Sequence, residues 1–227
     1  MLTGKINQLN GDHIMKHFSS DDIKTLDERY RALMINSLSG FKSANLIGTV
    51  DDAGQENVSI VSSVFHLGAS PALVGVIFRP HSVPRHTLEN ILATEKYTIN
   101  QVNVQIYMAA HQTSARYEKD QSEFEQTGLT AQYLNSFPAP FVKESRLKYG
   151  LTLKDHQTIK LNDTELVIGE IETLHVDETA LLEDGYIDIE ALDSVAISSL
   201  DGYHSTKRIN RLEYAKPNKP TRIKLLG

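Results

Sequence analysis

The sequence predicts an α+β fold, mainly β, with a barrel-like sheet and a helical insertion. Three observations predict it. Apolar runs of strand length, rich in β-branched residues, recur at 44–50, 57–67, 72–78 and 96–102. These runs are apolar almost throughout rather than at alternate positions, which suits strands covered on both faces or closed into a barrel. Strand patterns then return at 141–177, after a polar helical stretch, so the helices are segregated rather than alternated with strands.

The elements follow in order. Ser20-Asp-Asp opens a segment with Ile23, Leu26, Tyr30, Leu33 and Met34 at helical spacing and Gly40 beyond its end. Acids in the first turn and a terminal glycine predict one capped amphipathic helix. Residues 44–50 read as a strand, Asp51-Asp-Ala-Gly54 as a turn, 57–67 as a second strand and 72–78 as a third. A short helix is expected over 87–94, with Leu88, Ile91 and Leu92 on one side, followed by a strand at 96–102. From 106 to about 134 the pattern is helical and polar, interrupted near Gly128 and ended by "FPAPFV". "LNDT" at 161–164 predicts a hairpin turn between "HQTIKL" and "ELVIGEIETLHV". "EDGYIDIEAL" reads as a turn with a short element, and "SVAISSL" as the last strand before a basic tail. No linker, repeat or low-complexity stretch divides the chain. The expected organisation is an N-terminal extension with its helix (1–40) and one domain (41–227) that includes the tail.

Composition narrows the chemistry. A chain of 227 residues can bury about 70% of its unfolded surface, so it needs no disulfide or structural metal to fold. It has no cysteine, which excludes Cys-based zinc sites, iron–sulfur clusters and thiol catalysis. The opening MLTGKINQLNGDHIMKHF lacks the apolar core of a signal peptide, and a cytoplasmic location is expected. Residues 58–78 carry no Asp, Glu, Lys or Arg and are long enough to span a bilayer. Pro71, Gly68, Gly75 and four serines make two strands joined by a Gly-Ala-Ser-Pro turn the better reading, so no membrane association is expected.

The formal charge of −6 is uneven. Residues 203–227 hold seven basic residues and one acid, Glu213, which leaves 16 basic against 28 acidic residues, or −12, elsewhere. Such a body repels duplex nucleic acid, and no nucleic-acid partner is expected. The tail is expected to dock on its own acidic body or on a partner subunit.

Several signatures are missing: GxxxxGK[ST], GxGxxG, HExxH and GxSxG. His13 and His17 could share a helix face, but without a third ligand they read as solvent-facing histidines, and no metal is expected. "RPHSVPRHTLENI" at 79–91 is more informative. Pro84 precedes a helix start, Thr87 can cap it or lie in its first turn, and Arg79 and Arg85 add fork-shaped donors. Together these suit a phosphate monoester. The competing reading is a capped helix with surface arginines. Asn57 and Ser62-Ser63 form a second group. Small hydroxyl residues in an apolar strand leave room for a flat ligand to approach the backbone, or simply bond within a barrel.

These residues bring a family into view. "NVSIVSSVFHLGASPALVGVIFRPHSVPRHTLENILATEKYTIN" resembles the flavin reductase-like, FMN-binding split-barrel family. Asn57, Ser62-Ser63, Ser70-Pro71, Arg79, His86-Thr87, Asn90 and Asn100 stand in the family's order. "HQTSARYEKDQSEFEQTGL", "APFVKES", "VIGEIETLHVD" and "LDGYHSTKRINRLEYAKP" are similar to its later segments, so the resemblance covers roughly residues 38–217. His86 stands where the family usually has an acid, and Ala72 where a second proline is common.

The resemblance implies an FMN-binding split β-barrel with a helical insertion, assembled as a homodimer. It implies non-covalent FMN, with Ser62 and Ser63 along the isoalloxazine, Asn57 and Asn100 supporting the ring or ribityl chain, Arg79, Arg85 and Thr87 at the phosphate, and His86 among the cofactor-binding residues. The implied activity is an NAD(P)H-dependent flavin oxidoreductase taking hydride at N5 and passing electrons to free flavin, oxygen or another acceptor. His66, His204 and Tyr203 are candidates to lie near the ring, without an assigned catalytic role. Two alternatives stay open: an FMN-carrying electron-transfer or storage protein, and a pyridoxamine-phosphate oxidase-like enzyme on a related barrel.

Overall fold

A computed structural model describes residues 15–224 of the chain. Its helices are α1 (Ser20–Thr25), α2 (Glu28–Ser37), α3 (His86–Thr94), α4 (Tyr107–Gln112) and α5 (Glu123–Thr127). Its strands are β1 (Lys42–Ser43), β2 (Asn45–Val50), β3 (Glu56–Val61), β4 (Val64–Ala69), β5 (Ala72–Phe78) and β6 (Lys96–Gln101). They continue with β7 (Ala131–Gln132), β8 (Phe141–Val142), β9 (Leu147–Ile159), β10 (Thr164–Val176), β11 (Val195–Ser198) and β12 (Gly202–Ser205).

Seven strands form one antiparallel sheet in the order β3-β2-β6-β9-β10-β5-β4. Its two end strands, β3 and β4, are consecutive in the chain and joined only by Ser62 and Ser63. The sheet therefore curls until its ends meet at that link, without pairing along their length: a split β-barrel, as the family resemblance implies. At the link, Ser63 Oγ donates to Ile77 O at 2.5 Å and Ile77 N donates to Ser63 O at 3.3 Å.

Both faces of the central strands are covered. Leu46 packs with Val58, Val102, Ala110 and Phe124 under the helical insertion, while its neighbour Ile47 packs with Val76, Leu88, Ile91, Tyr97 and Leu151. The period-2 alternation of a strand sends adjacent residues to opposite layers, and here both layers are apolar. This explains the nearly continuous hydrophobicity of 44–50. Leu88 and Ile91 are the apolar side of α3, and burying them seats the start of that helix beside β3.

Three expectations need correction. The strand expected over 57–67 is interrupted, because Ser62-Ser63 is the crossing between the two ends of the sheet. The single helix expected from Ser20 is two helices. Ser19 closes a capping box on α1, and Asp27 caps α2 by accepting from Tyr30 N at 3.0 Å. An Asp in mid-pattern competes for backbone donors and starts a new helix. The stretch 106–134 contains only α4 and α5 plus β7, ending α5 at Gly128 with φ +74. A fourth difference is an omission: β12 follows the expected last strand and pairs with it in the sheet β1-β11-β12.

The basic tail docks on an acidic loop of its own chain. Arg208 pairs with Asp188 at 3.0 Å, and Arg211 and Lys224 both reach Asp184, at 2.7 and 2.5 Å. The Arg211 guanidinium also lies over the Tyr186 ring at 4.0 Å. No helix among the described residues is long and apolar enough to cross a membrane.

Candidate functional site

A cleft of about 460 Å³ opens where the barrel splits. Its floor comes from β3 and the link after it, with Ser59, Ser62 and Ser63 facing in. One end holds Arg79, just past β5, with Arg85 and Thr87 at the start of α3. Ile197, Leu200 and Tyr203 of the β11–β12 hairpin, His111 of α4 and Asn36 of α2 are among the other lining residues.

The cationic end is electrostatically unusual. Burial pushes the Arg85 guanidinium below its ordinary pKa, and the neighbouring Arg79 and Arg116 push it further down. Among the described residues, none of these three arginines forms an ion pair with a carboxylate. Arg85 Nε donates instead to Pro80 O at 2.9 Å. The first-turn N–H groups of α3 have no intrahelical partner and add a positive dipole end. Glu89, which could have neutralised the cluster, is occupied by His81 at 2.8 Å and by Arg85 N at 2.9 Å. Burial raises its pKa, but these two bonds outweigh burial and hold its carboxyl below the usual range.

Beneath Thr87 runs a buried polar chain. Thr87 Oγ1 donates to Asn57 Oδ1 at 2.7 Å, and Asn57 Nδ2 donates to Glu123 Oε2 at 2.7 Å. Val58 N also donates to Glu123 Oε2, at 3.2 Å. Thr49 Oγ1 donates to Asn57 Oδ1 at 3.3 Å and accepts from Asn90 Nδ2 at 3.1 Å. At the cleft end, Ser59 Oγ lies 2.8 Å from Thr87 Oγ1. Burial raises the Glu123 pKa, against the lowering effect of the bonds it accepts from backbone and from Asn57. Across the cleft, the Tyr203 hydroxyl is 3.0 Å from His111 Nδ1. Desolvation, aided by Asp201, pushes that phenol up to about 12, so it stays neutral near pH 7.

Of the residues singled out from the sequence, Ser62, Ser63, Arg79, Arg85, Thr87 and Tyr203 meet in this one cleft. Asn57 lies behind it and braces Thr87. His86 opens α3 without lining the cleft, and its charge acts on Glu89 and Glu123. The structure does not bring Asn100 to the cleft wall. Asn100 is fully buried and its amide is spent on Leu46 O, Thr98 Oγ1 and the Val142 N–H, stitching β2, β6 and β8 together. His66 is exposed on the edge strand β4. His204 bonds to Ser198 Oγ at 2.7 Å and packs on Phe41, outside the lining. The His13–His17 pair cannot be placed, since His13 lies outside the described residues.

Sequence reasoning missed Ser59, His111, Arg116 and the buried Glu123. Ser59 had a usable signal: it follows Asn57 by two, so both point to one side of β3. The others come from the insertion, whose placement on the barrel no local pattern reveals.

The comparisons with known proteins decide the family. The flavin reductase like domain matches residues 38–190, well over half of the chain. The chain belongs to the flavin reductase-like family. A solved split-barrel protein of Shewanella frigidimarina NCIMB 400, provisionally termed a flavin reductase, is 60% identical. That match covers 88% of this chain and all of that one, with a TM-score of 0.86. Nitrilotriacetate monooxygenase component B from Bacillus cereus shares the fold at 20% identity and TM-score 0.76, over 88% of this chain and 99% of that one. Flavoredoxin of Desulfovibrio vulgaris (Miyazaki F) shares it at 23% identity and TM-score 0.65, over 79% and 92%. The uncharacterised Bacillus subtilis protein YwrF is 23% identical over 178 residues, covering 76% of this chain and 86% of its own. Family membership implies a flavin-related cofactor and supports a flavin oxidoreductase activity.

Proposed function

We propose that this chain is an FMN-dependent oxidoreductase that accepts hydride from NAD(P)H and passes electrons to free flavin, oxygen or another acceptor. The observation that carries the reading is the pair of Arg79 and Arg85 at one end of the cleft, with Arg116 near enough to act on Arg85: three guanidiniums without a carboxylate partner among the described residues. Like charges held together need a counter-charge, and a phosphate dianion at a helix start supplies it. The cleft's size falls within the range of small-molecule sites. Bound flavin would supply the redox chemistry, accepting hydride at N5.

The chain's own groups bind and orient. In this reading Arg79, Arg85 and the first turn of α3 hold the phosphate, with His86 and Asn57 behind them. Ser62 and Ser63 lie along the flavin ring, where the Ser63–Ile77 bonds fix the backbone of the link. Tyr203, Leu200 and Ile197 form an opposing wall that excludes water from one side of the ring. Tyr203 stays neutral and is steadied by His111, so it offers a hydrogen bond without a charge. Holding two rings in contact is the main service such a site provides to hydride transfer.

A homodimer is part of the proposal. Phe65 and Leu67 on the edge strand β4, and Leu38 and Phe41 after α2, are exposed apolar residues that a second copy would cover.

Anaerobic titration of the FMN-loaded protein with NADH and with NADPH tests the reading. Bleaching of the flavin absorbance by either nucleotide is the expected result. Loaded protein that neither nucleotide reduces would replace the enzyme by an electron carrier.

A further inference from the structure

The direction of the hydrogen bonds behind the cleft decides which hydroxyl can serve an anion. A threonine hydroxyl has one proton to give. Asn57 Nδ2 points at the Glu123 carboxyl, which fixes Oδ1 toward Thr87 and Thr49. Thr87 therefore gives its only proton to Asn57, at 2.7 Å. It follows that Ser59 is the donor in the 2.8 Å contact with Thr87. Thr87 is almost fully buried, whereas Ser59 is only partly buried and also faces the cleft.

We propose that Ser59 is the side-chain hydroxyl that donates to the phosphate of the bound flavin, and that Asn57 and Glu123 hold Thr87 out of that role. The inference rests on the FMN reading above. Turning the Ser59 hydroxyl outward exchanges one neutral hydroxyl–hydroxyl bond for a charge-assisted one, which is about twice as strong. Turning Thr87 outward would strip Asn57 Oδ1 of its 2.7 Å donor and leave only the 3.3 Å bond from Thr49 in a buried site. Asn57 and Glu123 are thus positioning residues, while Ser59 touches the ligand. Thr87 still contributes by its place in the first turn of α3 and as the acceptor that parks Ser59.

The test compares FMN with riboflavin, which lacks the phosphate, by fluorescence titration of the parent protein, Ser59→Ala and Thr87→Val. The ratio of the two affinities isolates the phosphate contact and cancels any loosening common to both ligands. Ser59→Ala should lower the FMN-to-riboflavin ratio by about tenfold or more, the usual weight of one bond to a charged group. Thr87→Val should leave that ratio within about twofold, even where both affinities fall. An unchanged ratio in Ser59→Ala, or a collapse of the ratio in Thr87→Val alone, overturns the proposal. Should Thr87→Val not fold, the Ser59→Ala ratio decides by itself. Parent protein that binds neither flavin would instead overturn the FMN reading, a distinguishable failure.

Discussion

Thr87, in the first turn of α3, donates its hydroxyl to Asn57 on β3 at 2.7 Å, joining residues thirty apart in the sequence. That one bond ties the start of α3 to the floor of the cleft. Everything proposed for the anion end depends on this seating, because Arg85 and the free N–H groups of α3 are carried by the same turn.

Arg79 stands at the other side of that end. Arg79→Gln should weaken FMN binding by about tenfold to a hundredfold while leaving riboflavin almost unaffected, since a guanidinium–phosphate contact is worth about 1.5–3 kcal/mol. Parallel titrations with both flavins check this. Equal losses for the two would move the phosphate away from Arg79.

Glu123 makes stability depend on pH in a stated direction. Its folded pKa is raised above the ordinary 4.5 by burial. Between the two values the folded state holds more protons than the unfolded state, so this group's contribution falls as pH rises through that window. Glu123→Gln removes the penalty while keeping an acceptor for Asn57 and Val58. The variant should therefore gain stability relative to the parent as pH rises above the ordinary 4.5 in urea melts. A relative loss over that range would contradict the assignment.

Gly169 on β10 is held by packing. A Cβ there would overlap the Tyr97 hydroxyl, which is fully buried. Gly169→Ala should destabilise by about 1–3 kcal/mol, the usual cost of overpacking a close-packed core. Chemical denaturation measures it, and a change under about 0.5 kcal/mol would show that Tyr97 moves aside freely.

Asp184 anchors the tail. Bonds from Arg211 and Lys224, and one from the Tyr186 backbone, hold its carboxyl well below the usual range. The group contributes above its unfolded pKa and stops contributing as pH falls through its depressed folded pKa. Asp184→Asn should make 207–224 cleave faster in limited proteolysis with little change in global unfolding, because the pair is exposed. Unaltered cleavage would mean that Arg208–Asp188 alone secures the segment.

How much was legible follows from which forces act locally. Strands 44–50, 72–78 and 96–102 were readable within a residue or two because their apolar residues are buried on both sides. The hairpin at 161–164 was readable from its turn chemistry, with Asn162 Oδ1 accepting from Thr164 and Asp163 at φ +56. The break at Ser62-Ser63 was not, because serines fit a strand as well as a crossing, and only the sheet order shows which they form. The cleft's cationic end was legible, since Arg79, Arg85 and Thr87 lie within nine residues of sequence. Asn100 shows the limit of that reasoning: an asparagine closing a strand reads alike whether it faces a ligand or, as here, satisfies the backbone of two neighbouring strands. His111 and Glu123 needed the fold, because their partners are 92 and 66 residues away.

The most direct measurement is the visible spectrum of the purified protein after incubation with FMN and gel filtration. The account predicts flavin bands that travel with the protein at about one per chain. Flavin that elutes wholly free of the protein would contradict it.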